Sequence, residues 1–212
     1  MKVIACYSNK GGVGKTATAV NIAYASAADG KRTLLCDLDP QGASSFYFKV
    51  KPSKKLTLGR FFGSEDRFIK AIRESEFEKL DVLPANMTFR DFDVFLSQLK
   101  NSQSQLKKTL KSVKGDYDVV VLDCPPNLSA LSEGVFRASD AILVPVIPSP
   151  LSARTFEQLV GFFEQQGLDA TKLKPFFSMV QMVKGLHTDT MSRLLSNYPD
   201  QFFKAMIPFT AD

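Results

Sequence analysis

Short, almost purely apolar runs alternate with longer helical stretches along all 212 residues of this chain, and that alternation restricts its architecture more than any other feature. Runs at Lys2–Tyr7, Arg32–Asp37, Leu80–Pro84, Tyr117–Asp123, Ala141–Ile147, Pro175–Val180 and Phe202–Ile207 read as strands. Several are continuously apolar rather than alternating, which is the pattern of strands covered on both faces. Between them, Lys15–Ala28, Ser102–Val113, Leu128–Ala138 and Ser152–Gln166 read as helices. This order predicts an α/β fold: a mostly parallel, twisted sheet with right-handed crossovers and helices on both faces. The stretch Lys49–Arg73 fits no clean strand–helix unit and reads as an elaborated connection. With no internal repeat and no linker, residues 1–212 are expected to form a single domain.

The first strand runs into Ser8-Asn9-Lys10-Gly11-Gly12-Val13-Gly14-Lys15-Thr16, and a helix of small residues follows directly. Glycines here let backbone N–H groups turn inward around phosphate oxygens, and the helix N-terminus adds its positive dipole end. Gly11, Gly12, Val13, Gly14 and Ala17 are therefore candidate nucleotide contacts. Lys15 supplies a point charge to β- and γ-phosphates, and the Thr16 hydroxyl suits Mg²⁺. The strict Gly-x-x-x-x-Gly-Lys-Thr pattern fails, because Asn stands at position 9. Asp123 ends an apolar strand, where a carboxylate can reach Mg²⁺ through water. Lys10, one residue before the glycines, need not point into its own nucleotide pocket.

Lys10-Gly11-Gly12-Val13-Gly14-Lys15-Thr16 resembles the deviant Walker A motif of the ParA/MinD superfamily of P-loop NTPases. Leu34-Leu35-Cys36-Asp37-Leu38-Asp39-Pro40-Gln41-Gly42 resembles the family's switch I, and Val119–Pro126 its Walker B strand and switch II. Leu80–Asn86 and Ala141–Pro148 are similar to segments of the ParA, Soj-like branch. The resemblance implies an ATP hydrolase that uses ATP and Mg²⁺. It implies that Asp39 orients the attacking water, that Asp37 supports the metal from a second layer, and that Lys10 reaches across an ATP-dependent homodimer to the partner's phosphates. Met179 and Pro208 lie where the family contacts the base, although core filling explains Met179 and Met182 equally well. It further implies non-specific DNA binding through the last third of the chain, where Lys184, Arg193 and Lys204 are candidates, and stimulation by a ParB-like partner. A MinD-like positioning ATPase on a membrane surface or cytoskeleton is the alternative. A third reading, a synthetase or Fe–S carrier ATPase of the same fold, meets no Cys-x-x-Cys pair and leaves no room for a substrate domain.

Composition adds limits. The N-terminal apolar stretch is too short for a signal peptide or a membrane span, so a cytoplasmic protein is expected, and the resemblance implies association with the nucleoid. Cys6, Cys36 and Cys124 lie far apart, without ligand spacing, and read as reduced buried thiols. The 18 phenylalanines read mainly as packing, and His187 as a surface or helix-start residue. A net charge of +5 permits a polyanion partner. Two lysine clusters stand out, Lys49–Lys55 and Lys107–Lys114, and the second decorates a helix with the apolar stripe Leu106, Leu110 and Val113. The resemblance departs at Ser178-Met179-Val180-Gln181, where the ParA branch has a Thr-Met-Tyr-Asp-like turn. Family members also commonly continue past a strand like the last one here with a further helix and more basic residues. A MinD-type membrane helix would occupy that tail, and none is visible.

Overall fold

The computed structural model describes residues 1–210. The chain begins with β1 (Lys2–Cys6), α1 (Lys15–Ala28), β2 (Thr33–Asp37), α2 (Ala43–Tyr47), α3 (Leu58–Gly63), α4 (Glu65–Ile69), β3 (Arg73–Glu74) and β4 (Leu80–Leu83). It continues with α5 (Phe92–Ser97), α6 (Ser102–Lys111), β5 (Val119–Asp123), α7 (Ala130–Ala138), β6 (Ala141–Val146), α8 (Pro150–Gln165), β7 (Leu173–Phe177) and α9 (Gly185–Asn197). Among the described residues the strands form one sheet in the order β3-β4-β2-β5-β1-β6-β7. Every pairing is parallel except β3 with β4.

Side chains alternate between the two faces of this sheet, so each strand feeds two apolar layers. Val3, Ala5 and Tyr7 join one layer, with Leu34, Cys36, Val120 and Leu122. Cys6, Leu35 and Val121 join the other, with Ala19, Ala23 and Ala27 of α1. That alanine row, at every fourth residue, makes a flat stripe that lets α1 lie close against the sheet. The opposite face is covered by α5 to α8, whose Phe92, Leu106, Val135 and Phe156 are buried.

The connection between Lys49 and Arg73 folds around phenylalanine. Phe61 is buried, with Phe62, Phe68, Phe89 and Phe92 at centroid distances of 4.7, 5.3, 5.6 and 5.4 Å. Edge-to-face rings at these distances gain beyond their buried area. Two short helices therefore stand where the sequence gives no clean pattern.

In the last third of the chain, three elements differ from the sequence expectation. Pro175–Val180 is shifted, since β7 starts at Leu173 and ends at Phe177; Pro175 is tolerated because β7 is an edge strand. Phe202–Ile207 is not a strand. Its amides reach β7 at Phe203→Pro175 and Ile207→Phe177, both 2.9 Å, so four residues advance against two and no register can form. Among the described residues an isolated bridge, Val180 with Pro208, remains. The helix α9 carries its buried residues at His187, Thr190, Met191 and Leu194. That is proper helical spacing, disguised by two polar residues in the apolar stripe. His187 does sit near a helix start, but it is buried, and its Nδ1 accepts from the Gln181 N–H at 3.1 Å.

Candidate active site

Strand register builds the site. Asp123 stands level with Asp37 on one side and Cys6 on the other, so β1, β2 and β5 end at the same height. The loop Tyr7–Gly14 leaves β1 between β5 and β6, where connections depart to opposite sides and a crevice opens at the strands' carboxyl ends. Gly14 caps α1 at φ 100°, a conformation that L side chains rarely adopt, and a Cβ there would meet Ser178 Oγ at 3.3 Å. The first turn of α1 has neither a side-chain cap nor an acidic residue. Its N–H groups are therefore left for an external anion.

Lys15 is 7% exposed and donates from Nζ to the Lys10 carbonyl at 3.0 Å. Burial pulls its pKa down, and the nearby charges of Asp123 and Asp39 pull it back up. Lys10 points elsewhere. Its Nζ donates to Ser152 Oγ at 3.0 Å, in the first turn of α8. Thr16 is half-buried at the second position of α1.

Asp37 and Asp123 are wholly buried. The Ser45 N–H and hydroxyl donate to Asp37 Oδ2, while Asp37 Oδ1, both oxygens of Asp123 and Ser44 Oγ lack a hydrogen-bond partner. Burial, and then the neighbouring Asp37, push the Asp123 carboxyl up to about 7. The hydroxyls of Thr16 and Ser44 counter this in part, although neither closes a hydrogen bond to it. Buried unpaired carboxylate oxygens are costly and call for a counter-charge. They fit magnesium, which takes oxygen donors from one or two carboxylates together with phosphates and water. No cluster of three or more His, Cys, Asp or Glu forms among the described residues. Asp39 is half-exposed, with Oδ1 fixed by the Gln41 N–H at 2.9 Å.

Beside the first turn of α1 lies a cavity of about 360 Å³, walled by Gly14, Ala17, Thr18, Asn21, Met179, Ile207, Pro208 and Phe209. It brings Met179 and Pro208 together across the end of the sheet. Met179 is held at φ 55°, an uncommon conformation for a non-glycine residue. Ser44, Ser45, Ser152 and Ser178 were not singled out in the sequence. For Ser44 and Ser45 the signal is the Gly42-Ala43-Ser44-Ser45 turn after the paired aspartates, which does not announce what the hydroxyls touch.

The AAA domain family matches residues 1–173. The sporulation initiation inhibitor protein Soj of Bacillus subtilis is 30% identical over 212 residues, covering 98% of this chain and 84% of that protein. The chromosome partitioning protein ParA of Caulobacter vibrioides is 30% identical over 215 residues, covering 98% of this chain and 80% of that one. The chain belongs to the ParA/Soj family of ATPases. The crystal structure of cobyrinic acid a,c-diamide synthase from Mycobacterium smegmatis, with ATP analogue and magnesium bound, superposes with a TM-score of 0.86 at 27% identity. The match covers 99% of this chain and 88% of that one. In ParA/Soj terms, the deviant loop, the paired aspartates and the strand-end Asp123 occupy one crevice. The C-terminal basic residues do not converge on it. Lys184 caps α9, Arg193 is paired with Glu157 at 2.9 Å, and Lys204 is exposed in the last segment. The cysteines are free and buried. No helix among the described residues is long and apolar enough to cross a membrane.

Proposed function

We propose that this protein, acting as a single domain, binds ATP with magnesium at the ends of β1, β2 and β5 and dimerises in that state. The ATP dimer binds DNA without regard to sequence and positions DNA or another large cargo on the nucleoid. Hydrolysis, stimulated by a ParB-like partner, ends the cycle. The observation that carries this reading is the set of buried, unpaired carboxylate oxygens facing a buried lysine beneath a glycine loop.

Lys15 and the loop N–H groups hold the β- and γ-phosphates, and the base lies in the cavity beside Met179 and Pro208. Thr16, with Asp37 and Asp123 behind it, would hold magnesium, which when bound neutralises charge on the phosphates. Asp39, its carboxylate oriented by Gln41, positions the attacking water. Lys10, turned out of its own loop toward Ser152, is free to swing to the phosphates of a second copy. ATP binding and dimerisation then form one linked equilibrium, which hydrolysis reverses. Lys184, Arg193 and Lys204 are DNA-contact candidates, with Arg193 available only if it leaves Glu157.

A gel-shift series with ATP, ADP or no nucleotide, at two salt concentrations, tests the reading on the wild-type protein and on Asp39→Ala. Expected is salt-sensitive, sequence-indifferent retention with ATP, prolonged by Asp39→Ala. Absence of DNA binding at low salt despite an intact ATP dimer would shift the reading to a membrane or scaffold surface.

A further inference from the structure

The charge of this molecule is concentrated in one place. Between Lys49 and Arg73 the chain carries eight lysines and arginines against two acids, Glu65 and Asp66, while the whole chain has 27 against 22. The remainder is therefore slightly acidic. The excess also converges in space. Lys54 and Lys55 before α3, Arg67 in α4, Lys70 after it and Arg73 in β3 wall a concavity of about 410 Å³ beside the Pro52–Ser53 turn. Of these five, only Lys70 has an acidic partner among the described residues, Asp66 at 2.8 Å. Arg73 Nη1 is held by the carbonyls of Lys70 and Ile72, both at 2.9 Å. Like charges gathered this way repel one another unless an anion joins them.

We propose that this cleft docks the phosphate backbone of DNA, a surface separate from the C-terminal residues considered above. The inference rests on the reading that the ATP form binds DNA. Cationic walls favour a phosphate backbone over an acidic protein segment. Protein recognition centres on apolar or aromatic anchors, and no aliphatic or aromatic side chain but Pro52 lines this cleft. A backbone needs only charge, and guanidinium forks match phosphate oxygens. The cleft is also bonded to the active site. Asn86 Nδ2 donates to the carbonyls of Ser53 and Leu56 at 3.2 and 3.3 Å. The adjacent Ala85 N–H donates to Ser45 Oγ at 2.9 Å, and Ser45 donates to Asp37. The nucleotide site and the cleft thus share a short run of hydrogen bonds.

The test is fluorescence anisotropy with a duplex of scrambled sequence, in ATP, over a salt series. Lys54→Glu/Lys55→Glu/Arg67→Glu is compared with wild type and with Lys107→Glu/Lys108→Glu on the solvated face of α6. All five residues are exposed, and thermal melting checks the fold. We expect the triple variant to bind at least about tenfold more weakly, with the logarithmic salt slope reduced by about three, and the double variant to follow wild type. If reversal prevents folding, glutamine at the same three positions should give the same loss of slope. Wild-type affinity and slope in a folded triple variant, with wild-type DNA binding intact, would overturn this cleft and spare the proposed function. No DNA binding by the wild-type ATP dimer would overturn both. Equally tight capture of poly-glutamate, lost in the triple variant, would replace DNA by an acidic protein and overturn the assignment.

Discussion

Lys15, Asp37 and Asp123 are all buried, and Lys15 feels the charges of Asp123 and Asp39. Lys15→Ala should weaken ATP binding about a hundredfold, since bonds to charged groups contribute about 1.5–3 kcal/mol each. Calorimetric titration checks this, and wild-type affinity would remove the residue from the phosphate site. Asp39→Ala should keep ATP binding while turnover falls, which phosphate release reads directly. Asp123 gives a pH signature. Its folded pKa, about 7, lies above its ordinary value, so the folded state holds this proton more tightly than the unfolded chain. Without nucleotide, its contribution to stability is full below about pH 4 and is lost as pH rises through about 7, an effect of about 4 kcal/mol. Burial moves Asp37 in the same direction. Asp118, held down to about 2 by Arg32, acts with the opposite sign at lower pH. Melting of the nucleotide-free protein should therefore rise from pH 8 to pH 5, and Asp123→Asn should flatten that trend.

At the scale of elements, one hydroxyl and one ring support segments much larger than themselves. Ser45 joins the end of β2 to the chain two residues past β4, through Asp37 and Ala85. Ser45→Ala would leave Asp37 Oδ2 and the Ala85 N–H without this partner, at a cost of about 1–3 kcal/mol. Thermal melting without nucleotide measures it. Phe61→Ala should cost more, about 3–5 kcal/mol, because the ring anchors α3 and four other phenylalanines around it. Increased proteolysis between Lys49 and Arg73 should accompany it, and unchanged protease resistance would mean that the connection is held elsewhere.

For the whole molecule, the proposed cycle links nucleotide state to assembly. Lys10→Ala should leave ATP binding to the monomer largely intact and weaken the ATP dimer. Light scattering across dilution in an Asp39→Ala background reads that change; an unchanged dimer mass would leave Lys10 as a loop residue bonded to Ser152.

How much of this was legible beforehand follows the range of the forces involved. Local sequence determined the strand-loop-helix unit at Lys2–Ala28, the apolar strands and the aspartates at their ends, because periodicity and glycine chemistry act over neighbouring residues. It also showed the helical face carrying Lys107 and Lys108, which the structure leaves exposed over buried Leu106 and Leu110. Only the tertiary structure decided that Asp37 and Asp123 stand side by side, since register is set by contacts between strands about 86 residues apart. It alone turned Phe202–Ile207 from a strand into a sparse edging of β7, and drew Lys54, Lys55, Arg67, Lys70 and Arg73 around one cleft. Those outcomes depend on which groups remain unpaired once the chain has closed on itself, and that is a property of the packed whole.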